Sequence, residues 1–68
     1  GRNEEALRLR RDAYFGLLRV SGEEKYETVT AAYNYAICLL DQRNFDETKS
    51  LLRKTLPIVQ RVLGDNND

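Results

Sequence analysis

The 68 residues predict an all-α fold of three antiparallel helices, over about 4–20, 27–42 and 46–63. Three observations carry the prediction. Apolar residues recur at helical spacing in three long segments, and no segment alternates with period two over a useful length. Gly and Pro punctuate little, with Gly22 and Gly64 standing just after periodic segments, where a left-handed residue ends a helix at low cost. The segment 5–22 also returns, displaced by 42 residues, at 47–64.

Charge falls in short blocks, net +2 over 1–20, −4 over 21–48, +4 over 49–63 and −2 over 64–68, which read as helix-end complementarity rather than as binding patches. Ser21 and Glu24 have capping-box spacing before the second helix, although Glu27 or Thr28 serves equally as its opening. That second helix is the most informative. On a wheel turning about 100° per residue, Ala32, Tyr35, Ala36 and Leu39 form one apolar stripe. Val29, Tyr33, Ile37 and Leu40 form a second beside it. Together they span roughly 200°, twice the stripe of an ordinary surface helix, so the helix is expected to be packed on two sides. Glu27, Thr30, Asn34, Cys38 and Asp41 are left to face water or a ligand.

Asn44 precedes Phe45-Asp46-Glu47 and reads as the N-cap of the third helix. Here too the apolar stripe is doubled. Leu52, Leu56, Val59 and Leu63 form one row, Leu51, Thr55, Ile58 and Val62 another, with Lys49, Arg53, Gln60 and Arg61 opposite. Two stripes per helix are a surplus for three helices, so the end helices are expected to show apolar surface unless something else covers it. Pro57 falls inside this helix and removes the bond to the Arg53 carbonyl; the alternative is a new helix capped by Thr55.

Composition narrows the function. Eleven basic and eleven acidic residues leave no net charge, which argues against nucleic acid or an anionic membrane as the main partner. The absence of His removes His-ligated metals and His-based acid/base chemistry. One Cys makes no internal disulfide. No apolar run approaches the roughly 18–20 residues that cross a bilayer, and Gly1-Arg2-Asn3-Glu4-Glu5 has no apolar signal region, so a cytoplasmic location is expected. Leu, Ile, Val and Phe supply 18 of the 68 residues, enough to fold. Domains of this size seldom draw more than ~3–5 kcal/mol from one core.

The repeat pairs Glu5, Leu9, Arg11, Arg19, Val20 and Gly22 with identical residues at 47, 51, 53, 61, 62 and 64. Residues 1–22 then read as the second helix of one unit, 23–64 as a complete helical hairpin with its linker, and 65–68 as the start of a further linker cut short. Residues 32–58 resemble a tetratricopeptide repeat: Ala32, Tyr35, Ala36 and Leu39 sit at the positions where that family has Trp, Leu, Gly and Tyr. Phe45 takes its hairpin aromatic, and Asp46-Glu47 its acidic pair. The 42-residue period and the Gly-acid segments resemble the long variant found in kinesin light chains. The departures are Thr48 and Thr55 where Ala is preferred, Arg43-Asn44 where the turn usually has Gly, and Lys25-Tyr26 in place of His-Pro. The resemblance implies a tetratricopeptide-like α-solenoid fragment.

The chain offers little to catalysis. Cys38 shares the polar arc with Asp41, whose charge raises a thiol pKa, and no His is there to activate it. Glu23-Glu24 and Asp46-Glu47 are adjacent pairs that point apart at helix starts. Lys49, Arg53, Lys54 and Arg61 lack interleaved exposed aromatics, and Tyr33 and Tyr35 are expected in the core rather than as stacking platforms. No enzyme activity, metal or cofactor is therefore expected.

By resemblance, the first helix of a hairpin lines a concave groove, and Asn34 takes the position from which a carboxamide holds a bound peptide backbone. Thr30, Tyr33, Ile37 and Asp41 surround it. A carboxamide donates and accepts together, as peptide backbone requires; the alternative is that Asn34 is a solvated polar residue. The expected partner is a protein or peptide. Because solenoids need about three units, a homo-oligomer or neighbouring repeats of a longer chain are expected as well.

Overall fold

The computed structural model describes residues 2–64. It contains α1 (Arg2–Ser21), α2 (Tyr26–Asp41) and α3 (Phe45–Gly64), and no strand among the described residues. The expected start of a further linker at 65–68 lies outside the described residues. Tertiary contacts join α2 to α1 and α2 to α3, while α1 and α3 make none with each other. The three helices form a slab of 45 × 24 × 14 Å. In so thin a body no helix is enclosed, and α2 is the hub.

Both turns are set by left-handed residues. Gly22 has φ 89° and its N–H donates to the Leu18 carbonyl at 3.2 Å, which closes α1. Arg43 has φ 61°. Its N–H donates to Leu40 O and the Asn44 N–H to Leu39 O, both at 2.9 Å, a Schellman closure of α2. Here an L side chain occupies the place that Gly takes most cheaply. Gly64, by contrast, stays helical and has no positive φ, so it does not end its helix in the way expected. α2 opens at Tyr26 behind Lys25, which makes no side-chain cap. The Asn44 carbonyl starts the α3 ladder, accepting from the Thr48 N–H at 3.0 Å and its hydroxyl at 2.7 Å. α3 runs unbroken through Pro57, whose exposure lets water serve the orphaned Arg53 carbonyl.

The core is built from Tyr14 of α1, Ala31, Ala32, Tyr35, Ala36 and Leu39 of α2, and Leu51 of α3. Leu7, Leu17, Leu18 and Leu52 pack against it. Thr48 and Thr55, the small positions of the hairpin, are buried together with Ile58. Tyr14, Phe15 and Tyr35 form an aromatic cluster with centroids 5.2–6.3 Å apart, in the range where tilted ring pairs attract. One ion pair, Arg61 to Glu24 at 3.2 Å, ties α3 to the first turn; at such exposure it contributes little.

The second stripe of α2 departs from expectation. Val29 is half-buried, but Tyr33, Ile37 and Leu40 are exposed, and Tyr33 is therefore not a core residue. Both neighbours seat on one arc of about 140° that runs from Ala31 through Leu39 to Ala36. Small side chains there let two helices approach side by side, so the larger second stripe is not needed for packing. Asn34 and Cys38 turn partly inward at the edge of that arc.

Candidate partner-binding site

The outer face of α2 collects every groove candidate. With 100° per residue, Tyr33, Ile37, Thr30, Asp41 and Asn34 follow one another around the side away from the core. Tyr33 is 61% and Ile37 42% exposed. Thr30 and Asp41 are exposed, and Asn34 is half-buried at the edge of the face. The Thr30 hydroxyl donates to the Tyr26 carbonyl at 3.0 Å, which leaves its lone pairs for a partner. Among the described residues no hydrogen bond engages the Asn34 carboxamide.

Two residues that the sequence reading did not place in the groove belong to the same face. Tyr26 is 68% and Leu40 51% exposed, and with Tyr33 and Ile37 they form a row at i, i+7, i+11 and i+14. The spacing was visible in the sequence; the missing information was that no helix of this chain covers it. The row is contiguous along the whole of α2, unlike the scattered single apolar residues that need no explanation.

Two hollows lie elsewhere. The larger, about 570 Å³, is lined by Glu4, Glu5, Leu7, Arg8, Arg11 and Gln42, a mixed set in which acids and bases balance. At its edge Gln42 donates from Nε2 to the Asn3 carbonyl. The other, about 210 Å³, is the trough between α1 and α3, floored by Tyr35 and Leu39 and walled by Phe15, Glu47 and Lys54. At its floor the Tyr35 hydroxyl donates to a Glu47 carboxylate oxygen at 3.5 Å. Burial first, and then the Glu47 charge, push the Tyr35 phenol above its ordinary value despite the opposing Arg11. Tyr14 is raised in the same way by burial and by Glu23.

No family model, curated protein or solved structure matches this chain. The likeness to a tetratricopeptide repeat thus rests on its own residues. Among the described residues, no three His, Cys, Asp or Glu side chains are gathered as a metal site would require. Among the described residues, no helix is long and apolar enough to cross a membrane. Cys38, the lone thiol, is free and half-buried.

The outer face of α2 thus carries apolar side chains at its centre, with carboxamide, hydroxyl and carboxylate groups along one border.

Proposed function

We propose that this chain is a non-catalytic protein–protein interaction module. In this reading it is a tetratricopeptide-like hairpin with one preceding helix, and it holds a peptide or partner protein against the outer face of α2. The observation that carries the reading is the contiguous exposed row Tyr26, Tyr33, Ile37 and Leu40 on the side away from both neighbouring helices. Covering one such side chain yields about 1.5–3 kcal/mol, so three anchors suffice for a binding event of moderate strength after association costs are met. Asn34 then reads as the residue that engages backbone, and Thr30 and Asp41 as the polar border. With no His and a single half-buried Cys, the chain has little with which to activate a nucleophile. A cytoplasmic setting belongs to the same proposal.

The test is a selection from a displayed peptide library on the immobilised full chain. Enriched peptides should lose about tenfold or more in affinity with Tyr33→Ala or Ile37→Ser, and less with Asn34→Ala, while far-ultraviolet circular dichroism is unchanged. Absence of enrichment, or variants that bind as wild type does, would count against it.

A second reading has its own observation. Leu56 and Leu63 on α3 and Leu9 on α1 are also exposed, on the two helices that pack against the hub. A segment of a stacked solenoid shows open edges of this kind, which associate with further hairpins or further copies.

A further inference from the structure

The seated faces of α1 and α2 belong to one seven-residue series that runs through the turn between them. Leu7, Tyr14, Ser21, Thr28, Tyr35 and Gln42 follow at steps of seven, and none of them is exposed. In the hairpin two of its pairs meet: Tyr14 and Tyr35 are ring neighbours at 6.0 Å, and Leu7 and Gln42 line one hollow. A buried seam that keeps a period of seven across a turn is the pattern of one long helix paired with another. At the second turn the series ends. Its next members, Lys49, Leu56 and Leu63, are all exposed.

The first turn is also less firmly closed than the second, which Arg43 and Asn44 seal in a Schellman pattern. In the first, the Gly22 N–H donates to Leu18 O and the Val29 N–H to Lys25 O. Both are the i to i−4 bonds of an α-helix, so the break in the ladder is short. Glu23, Glu24 and Lys25 within it are helix formers, and Lys25 makes no side-chain cap. The turn depends on Gly22 at φ 89°, where any other residue is strained. The exposed pair of Arg61 with Glu24 holds it weakly. The turn has a cost as well. Thr30 and Thr48 each donate to the carbonyl four residues earlier, whereas the buried Thr28 hydroxyl has no partner among the described residues. The carbonyl four residues before Thr28 is that of Glu24, inside the turn, and a continuous helix would bring it within reach.

We propose that two copies of this chain exchange their first helices. In each copy the turn at 22–25 straightens, α1 and α2 become one helix over 2–41, and α1 seats on α2 of the other copy. Helix α1 has its tertiary contacts with α2 and none with α3, so the exchange remakes between chains what the hairpin makes within one. The pairing is antiparallel and two-fold, and it closes at two copies. With Tyr14 level with Tyr35, Glu24 at the centre falls level with Lys25 of the second copy, where opposite charges meet. The exchange uses neither the outer face of α2 nor the open leucine edges.

Sedimentation of the full chain tests it, with Gly22→Ala and Tyr26→Pro. A Cβ on Gly22 meets nothing within 4 Å, so alanine is opposed only by the positive φ of the turn and is favoured in a straight helix. Proline at 26 suits the hairpin. It would stand at the first residue of α2, behind Lys25 at φ −102° and ψ 146°, the extended backbone that precedes proline. Inside a continuous helix it would break the ladder. Wild type should pass from monomer to dimer as concentration rises. Gly22→Ala should tighten the dimer by about a hundredfold or more, since both turns of a pair carry the change. Tyr26→Pro should stay monomeric with the helical spectrum of wild type. Spin labels on Leu9→Cys and Leu40→Cys, both exposed positions, in a Cys38→Ser chain diluted with unlabelled protein, should move from a short separation in the monomer to about 46 Å in the dimer. A wild type that is monomeric throughout overturns the exchange, as does a Gly22→Ala chain no more dimeric than wild type or a Tyr26→Pro chain that dimerises equally well. A dimer that keeps the short separation overturns it too, and assigns the association to the open edges.

Discussion

The inner and outer faces of α2 are both apolar and have opposite fates. The inner face, with Ala31, Ala32, Ala36, Thr28, Tyr35 and Leu39, is buried under two helices. The outer face, with Tyr26, Tyr33, Ile37 and Leu40, is in solvent. Apolar character alone does not separate them; the inner face differs in setting four small residues, Thr28, Ala31, Ala32 and Ala36, around its two large ones. A row of Ala and Thr lets helix axes come close enough for Tyr14 and Leu51 to reach across from both sides, and dispersion falls off steeply with any gap. Large side chains along the whole of the outer face would hold neighbours apart.

The comparison breaks most readily at Leu39, 1% exposed at the centre of the inner face. Leu39→Ala should cost about 2–5 kcal/mol, comparable to the entire stability of so small a domain, and urea unfolding should lose its cooperative transition. Ala36→Leu tests size directly. It adds apolar atoms where apolar atoms already are, yet it should destabilise by about 1–3 kcal/mol through overpacking, seen as a lower thermal midpoint. If it stabilises the fold, the size argument fails.

A gain is expected at Thr28. Its hydroxyl is buried without a hydrogen-bond partner among the described residues. Thr28→Val keeps the shape and removes the unmet polar atom, so denaturant unfolding should show about 1 kcal/mol of added stability. A smaller effect is expected in alkali. Tyr14 and Tyr35 hold their protons more tightly when folded than the ordinary phenol value of 10.0. The native state then binds more protons than the unfolded one as pH climbs past that value. The stability they contribute is complete below about pH 10 and is lost as pH rises through the folded values, a decline that Tyr35→Phe should reduce. Least of all should Ile37→Ser on the outer face disturb folding, by about 0.5 kcal/mol or less, as thermal unfolding would show. Equal losses at Ile37 and Leu39 would erase the distinction between the faces.

Much of this architecture is legible in the residues. Three periodic segments, Gly22 behind the first and Asn44 ahead of the third anticipate the observed helices to within two residues at every end. The buried small positions Thr48 and Thr55 were likewise marked by their place in the hairpin pattern. Gly64 misled, because glycine permits a left-handed end without compelling one. Arg43 shows the reverse, a left-handed residue enforced by the hairpin where no glycine stands. For the candidate site, the position of Asn34, Thr30, Tyr33, Ile37 and Asp41 on one arc followed from the helical period. That Tyr33 lies outside the core, and that Tyr26 and Leu40 continue its row, did not.

What the sequence by itself determined is local: helical propensity, period, and punctuation by a few residues whose backbone preferences act over four or five positions. Which of two adjacent apolar stripes would be buried was decided only by tertiary structure. Hydrophobicity is a property of one side chain against water, but burial depends on how closely two whole helices can approach. That distance is set jointly by the small residues of α2 and the large ones that α1 and α3 bring to meet them.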